Sequence, residues 1–294
     1  HQNLSYFGRA DEAHIIYNFT LAPLIINTLI KGNSAAFTRW SMSMPPARDN
    51  TCYLNFLATH DGIGIRPLEG IINKRDLDNL LLALKNNGSK FTYRKDNRDT
   101  LSVYEANISL MDAMAGTIYG KDDFNFERFI CAHLIMLAFE GLPGIYIHSL
   151  FGTRNDLDLF KKTNTNRAIN RHIYNYNYLF NQLSSKQSKI SRVFYEMEKI
   201  VGIRKKQKAF HPNATQYTLN LGKHFFGLWR QSLDRKQSIF AISNVTSKKR
   251  VLKLNKINLL SLENWTDLLN LKIININKKE IIFNPYQTIW LTNK

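Results

Sequence analysis

Residues Tyr53-Leu54-Asn55-Phe56-Leu57-Ala58 form a short apolar run that breaks abruptly into Thr59-His60-Asp61 and two glycines, Gly62 and Gly64. A run of this length and β-forming character predicts a strand buried on both faces. Polar, chemically able residues at once after such a strand are what a barrel or an open α/β sheet places at the carboxyl ends of its strands. Two glycines then turn the chain away. By themselves, His60 and Asp61 are equally consistent with a packed histidine beside a capping aspartate.

Several function classes are limited by composition. With 44% hydrophobic residues and 12% aromatics over 294 residues, the chain has enough apolar surface for a sizeable core. The longest apolar stretches, 21–30 and 129–139, are too short to span a bilayer, and no basic segment precedes an apolar one in the manner of a secretion signal. A soluble, cytoplasmic protein without a membrane partner is expected. Cys52 and Cys131 lack metal or redox spacing and read as small buried hydrophobes in a reducing compartment. No metal or organic cofactor is implied. The net charge of +17 is spread along the chain. Its densest runs, 204–208 and 248–250, have no interleaved aromatics, so a nucleic-acid groove is not expected. A basic surface would still draw anions toward a cleft.

In order, the chain predicts a strand over 14–19, helices over 21–30 and 35–43, the strand over 53–58, and a helix over 76–84. A long polar loop over 88–103 follows, then helices over 107–114 and 124–140, a strand over 145–148, and a helix over 188–203. From Phe210 the texture changes to short alternating segments separated by turns, which read as an antiparallel β-domain. The division is therefore 1–209 and 210–294. The first part holds about three strand–helix units, too few to close a (β/α)8 barrel. The fold class is α/β: either a small open sheet or the C-terminal part of a (β/α)8 barrel, followed by the β-domain.

Residues 55–70, Asn-Phe-Leu-Ala-Thr-His-Asp-Gly-Ile-Gly-Ile-Arg-Pro-Leu-Glu-Gly, resemble the last signature region of glycoside hydrolase family 13. Within that family they look most like the branch of sugar phosphorylases related to sucrose and glucosylglycerate phosphorylases. Collinear matches support the resemblance: Tyr6-Phe7-Gly8 with Asp11-Glu12-Ala13-His14, Tyr104-Glu105-Ala106-Asn107, Gly141-Leu142-Pro143-Gly144, Arg154-Asn155-Asp156, Arg167-Ala168-Ile169-Asn170-Arg171, and Ala209-Phe210-His211-Pro212.

The resemblance implies a (β/α)8 barrel with a C-terminal β-domain and retaining glucosyl transfer through a covalent intermediate. An α-glucoside such as glucosylglycerate or sucrose would react with inorganic phosphate to give α-glucose 1-phosphate. Asp61 matches the acid that stabilises the oxocarbenium-like transition state, and His60 its sugar-binding neighbour. Arg167 matches a position that holds the glucose or its neighbouring acids. Tyr104 and Glu105 match the acceptor-side loop.

Retaining chemistry needs two carboxyl groups about 5 Å apart across the scissile bond. The family's nucleophile and acid/base Glu have no match among these residues. The chain alone is therefore expected to be inactive unless a separate chain supplies the missing N-terminal half. A non-catalytic remnant, or a subunit that binds sugar or a partner, is the alternative.

Overall fold

The computed structural model describes residues 13–47, 50–95, 99–257, 265–274 and 279–294. The sequence matches at Tyr6-Phe7-Gly8 and Asp11-Glu12 lie outside the described residues, as do Arg98 and Ile276.

Three short parallel strands lie side by side: β1 (Ile15–Tyr17), β2 (Cys52–Asn55) and, further along the chain, Leu142–Pro143. Ile16 sits opposite Tyr53 and Leu54 opposite Leu142. Parallel strands need crossover connections, and the helices between them meet that need. Helix α1 (Leu21–Lys31) is buried from Leu21 to Ile30 and is closed by Gly32 in the left-handed region, φ 68°. A helix buried on all sides belongs inside a core, not on a surface. After α2 (Ala35–Ser43) and β2 come a short strand β3 (Ile63–Gly64) and helix α3 (Lys74–Asn86), which Asn73 caps through Asp76 N.

Residues 88–103, expected as a loop, instead form a hairpin of β4 (Lys90–Lys95) and β5 (Leu101–Asn107). Charges hide its strand character: Lys90, Arg94 and Lys95 alternate with Phe91 and Tyr93 on a largely exposed strand, so no apolar period survives. The helix expected over 107–114 shrinks to α4 (Leu110–Ala113), because Asn107 completes β5. A two-strand β6/β7 turn (Gly116–Thr117, Gly120–Lys121) leads to α5 (Asn125–Ala138).

Only Leu142–Pro143 (β8) is a strand in the next segment, and the expected strand over 145–148 is replaced by α6 (Ile147–Leu150). Gly141 allows the close approach of this segment to β2. Its φ is 104°, and a Cβ there would collide with the Tyr53 carbonyl. Two further helices, α7 (Leu157–Thr163) and α8 (Tyr176–Ser184), went unread. They have no buried residues, so no apolar stripe announced them. Helix α9 (Lys189–Lys205) follows, with Ser188 accepting from Ile190 N and Ser191 N.

Beyond Phe210 the antiparallel reading holds. Strands β9 (Thr215–Leu219), β10 (Phe225–Gln231), β11 (Ser238–Asn244), β13 (Trp265–Asp267), β14 (Lys272–Ile274) and β16 (Thr288–Thr292) make one sheet in the order β14-β13-β16-β11-β10-β9. β12 (Arg250–Lys253) and β15 (Glu280–Phe283) pair separately. Strand side chains alternate between faces, and here the two faces serve two cores. Phe226, Leu228, Ile239, Ala241 and Trp290 join the core formed by α1, α5 and α9. Phe225, Phe240, Ile242, Ile289 and Leu291 pack with Leu252 and Phe283 in a second cluster.

Fully buried Arg230 ties the two regions together by donating to the carbonyls of Ala138, His211 and Ala214. Burial lowers its pKa to about 9, against the opposing charge of Glu140. Cys52 and Cys131 are free and buried, and burial pushes the Cys131 thiol up to about 12. Among the described residues no helix is long and apolar enough to cross a membrane.

His133 lies inside α5, where Nδ1 meets the Phe129 carbonyl at 2.9 Å. Burial pushes its imidazole from 6.5 down to about 4. Between these values the unfolded chain binds a proton that the folded chain does not. Stability from this source is complete above pH 6.5 and falls as pH drops toward 4, by about 3 kcal/mol in all. Urea unfolding between pH 7 and pH 4 should show this slope. His133→Gln should flatten it, whatever the variant's absolute stability.

Candidate active site

Beyond β2 the chain makes a tight turn in which Gly62 N donates to the Thr59 carbonyl at 3.2 Å and Asp61 N to Thr59 Oγ1 at 3.2 Å. Gly62 is required twice over. Its φ is 122°, and a Cβ would come within 2.6 Å of the Ala106 carbonyl oxygen. That contact exists because β3 pairs with β5, setting Ile63 opposite Ala106 and Gly64 opposite Glu105. The hairpin missed in the sequence is thus one wall of the site. Asn107 reaches from it to donate to the Asp61 backbone carbonyl at 2.8 Å, while its own side-chain oxygen accepts from Thr92 at 2.8 Å.

The second wall is the 3-10 turn Asn166–Asn170 with Arg171 after it. Arg167 NH1 lies 2.9 Å from Asp61 Oδ1, and its Nε and NH2 fork onto Glu105 at 3.3 and 3.0 Å. Arg171 NH2 also reaches Asp61 Oδ1 at 3.1 Å, and its Nε donates to the His60 carbonyl at 2.8 Å. Asn170 donates to the Thr59 carbonyl at 2.9 Å, and Tyr146 OH donates to the Asn170 carbonyl at 2.9 Å. From behind, Asp156 N donates to the Ile169 carbonyl at 2.7 Å, and the Asp156 carboxylate meets His172 Nδ1 at 2.7 Å.

Electrostatics follow this geometry. The hydrogen bonds from Glu105 are the largest influence raising the Arg167 pKa. The charges of Glu105 and Asp61 add to it, against the cost of burial. Burial also raises the Tyr146 phenol, with Arg171 opposing and Asp61 reinforcing. Asp61 spends one oxygen on the cations: Oδ1 takes Arg167 and Arg171, with His60 Nε2 at 3.4 Å. Its Oδ2 has no hydrogen-bond donor among the described residues. A carboxylate anchored through one oxygen, with the other open and its side chain about one-third exposed, can accept sugar hydroxyls or face developing positive charge.

Of the residues singled out in the sequence, Asp61, His60, Arg167 and Glu105 come together. Glu105 lies on strand β5, not on a loop, and it is buried, with both oxygens bound by Arg167. Tyr104, next to it, packs its ring under Arg94, 4.2 Å from the guanidinium carbon. Arg171, Asn107 and Asn170 were missed, although each stood inside a quoted motif. The signal for Arg171 was available, as a second cation four residues after Arg167. Beside this cluster a cavity of about 10 Å³, lined by Tyr146, His148, Thr153 and Asn170 among others, has room for a single water. Among the described residues no group of three or more His, Cys, Asp or Glu is placed to hold a metal ion.

A scan against family models finds no match. Individual relatives do match. The chain is 32% identical to glucosylglycerate phosphorylase of Escherichia coli (strain K12) over 290 residues, covering 98% of this chain and 50% of that protein. The glucosylglycerate phosphorylase of Allomeiothermus silvanus is 30% identical over 292 residues, 99% of this chain and 49% of that one. Sucrose phosphorylase of Bifidobacterium adolescentis is 28% identical over 176 residues, 56% of this chain and 32% of that one. The chain thus spans about half the length of the curated relatives it matches most fully.

Among solved structures, sucrose 6F-phosphate phosphorylase from Thermoanaerobacter thermosaccharolyticum superposes with a TM-score of 0.67 at 19% identity, over 92% of this chain and 47% of that one. An amylase, AmyP, bound to maltotriose follows with 0.61 at 12% identity, over 98% and 52%. The fold and the His60–Asp61 strand end are those of the glycoside hydrolase family 13 barrel enzymes. Within that class the chain belongs to the sugar-phosphorylase branch, together with the glucosylglycerate and sucrose phosphorylases.

Arg167→Ala should leave the buried Glu105 carboxylate without its main partner and cost about 2 kcal/mol. Arg171→Ala, at a more exposed pair, should cost less than about 1 kcal/mol. Urea unfolding of the two variants checks the order. Arg167→Lys should restore little, because an ammonium cannot fork across both acids.

Proposed function

We propose that these residues form one part of the active site of a retaining α-glucoside phosphorylase, which converts an α-glucoside and inorganic phosphate to α-glucose 1-phosphate in the cytoplasm. Residues 1–209 then belong to a (β/α)8 barrel and 210–294 to its C-terminal β-domain. The carrying observation is the Asp61 carboxylate at a strand end, fixed through Oδ1 by Arg167 and Arg171 and open at Oδ2. It occurs in a chain 32% identical to a glucosylglycerate phosphorylase.

In this reading Asp61 accepts hydrogen bonds from ring hydroxyls and strengthens its hold as positive charge develops at the anomeric carbon. His60, 68% exposed beside it, binds the same sugar. Arg167 keeps Asp61 ionised and aimed, and Glu105 keeps Arg167 in place. Tyr104 and the hairpin border the acceptor side. Glucosylglycerate is the favoured donor, with sucrose or its 6-phosphate behind it. Both the likeness of Arg66-Pro67-Leu68-Glu69-Gly70 to glucosylglycerate-type relatives and the cationic hairpin suit an anionic glucoside.

The nucleophile and the acid/base would come from the part of the relatives that this chain does not span. The open edges of the β1-β2-β8 sheet, with Ile15, Tyr17 and Phe19 exposed, suit contact with that part. The same exposed apolar edge favours a second reading, a non-catalytic subunit that binds sugar and a partner chain.

The test combines this chain with the remaining half of the barrel, built from a glucosylglycerate phosphorylase, and assays α-glucose 1-phosphate release from glucosylglycerate and from sucrose. Turnover is expected only with both halves, and Asp61→Asn should lower it by about 10²-fold or more. A folded two-part barrel that releases no α-glucose 1-phosphate from either donor would sink the phosphorylase reading and leave the binding subunit.

A further inference from the structure

The Lys248-Lys249-Arg250 run, which the active-site reading leaves unused, lines a groove on the β-rich part of the chain. The groove has a volume of about 540 Å³ and lies between the turn before β10 and strand β12. Lys223, Lys249, Arg250, Lys253 and Lys256 rim it. Among the described residues none of these five cations is paired with a carboxylate, although ion pairs occur widely elsewhere in the chain. Its floor is apolar: Leu221, Phe225 and Leu252 belong to the second hydrophobic cluster, so the groove is backed by a packed core.

Arg250 is pre-oriented. Its Nε donates to Thr246 Oγ1 at 3.2 Å, and that hydroxyl in turn donates to Asn244 Oδ1 at 2.8 Å. The two terminal nitrogens of the guanidinium have no partner among the described residues. A fork held by its root with its prongs free matches the oxygens of a phosphate group. His224, on the wall of the groove, has an Nδ1 that is buried without a hydrogen-bond partner. Burial, Arg250 and Lys223, in that order, hold its imidazole below the ordinary value. The field of the two cations therefore converges on one spot. A volume of this size falls in the range of small-molecule sites and exceeds what a bare phosphate would fill.

We propose that the groove between Lys223-His224 and Arg250–Lys253 binds a phosphate ester of sugar size, with Arg250 holding the phosphate and the apolar floor receiving the carbon skeleton. This site does not rest on the phosphorylase reading, because none of its residues touches the Asp61 cluster.

His224 is the reporter. Its ring proton resonances, assigned with His224→Gln, are followed by NMR on the whole chain while inorganic phosphate or α-glucose 1-phosphate is added. Sodium chloride at matched ionic strength serves as the control. Either anion should saturate the shift with Kd near ~1 mM and raise the His224 pKa, since a bound anion offsets the two cations. The sugar phosphate should bind the tighter of the two. Arg250→Ala should weaken binding about tenfold, as expected for losing a charge-assisted pair. Asp61→Asn should leave this shift unchanged even if it abolishes every property of the other site. A His224 shift that sodium chloride reproduces, or that survives Arg250→Ala, would overturn the proposal. So would displacement of both anions by a single-stranded oligonucleotide that binds far more tightly with a steep salt dependence.

Discussion

One guanidinium holds two carboxylates from different parts of the chain. Arg167 forks onto Glu105 of the hairpin and reaches Asp61 of the strand-end turn. Without it, two acids would face each other near a site that excludes much of the solvent, and like charges at that distance raise each other's cost of ionisation. With it, the three segments that carry the site become mutually dependent: the turn after β2, the hairpin and the 165–171 loop. Glu105 then acts at a distance from any ligand. It is a buried counter-charge that orients the arginine, and the arginine in turn orients Asp61. Arg171 adds a second cation and, through the His60 carbonyl, fixes the backbone of the turn itself.

The scaffold beneath this cluster explains its rigidity. Asp61 follows a parallel strand whose neighbours on both sides are set by close backbone approach, at Gly141 on one side. Helices α1 and α5 fill the space beside those strands, and both are buried nearly all round. They can be so only because the antiparallel sheet covers them in turn with Phe226, Leu228, Ile239, Ala241 and Trp290. The β-rich region is therefore a lid on the helical core as well as a unit with its own second cluster. Arg230, buried between them and bonded to three carbonyls, makes that union specific in geometry as well as apolar.

Chemistry was legible where residue type and local order coincided. The Thr59-His60-Asp61-Gly62 turn could be read because an apolar run ends in polar groups, and the turn needs glycine for reasons local to the backbone. Arg167 was visible through its motif, whereas Arg171 and Asn107 stood in quoted motifs without being recognised. Their roles depend on which side chain faces Asp61, and that is set by the pairing of β3 with β5 and by the path of the 165–171 loop. The hairpin itself was misread as a loop because its solvent-facing charges erase the alternation by which strands are recognised. Helices α7 and α8 escaped for the related reason that they bury none of their residues.

Hydrophobic order along the chain determined by itself the two textures, the parallel-strand and helix part followed by the antiparallel part, and the positions of the long buried helices. Those properties follow from periodicities of two and 3.6, which each segment carries alone. Tertiary structure decided which charges meet. Asp61, Glu105 and Arg167 are separated by 44 and 62 residues along the chain, and no local rule links them. Their meeting requires a strand register, a reversed hairpin and a loop docked by Asn170 and Tyr146, and only the folded chain brings all three to one point.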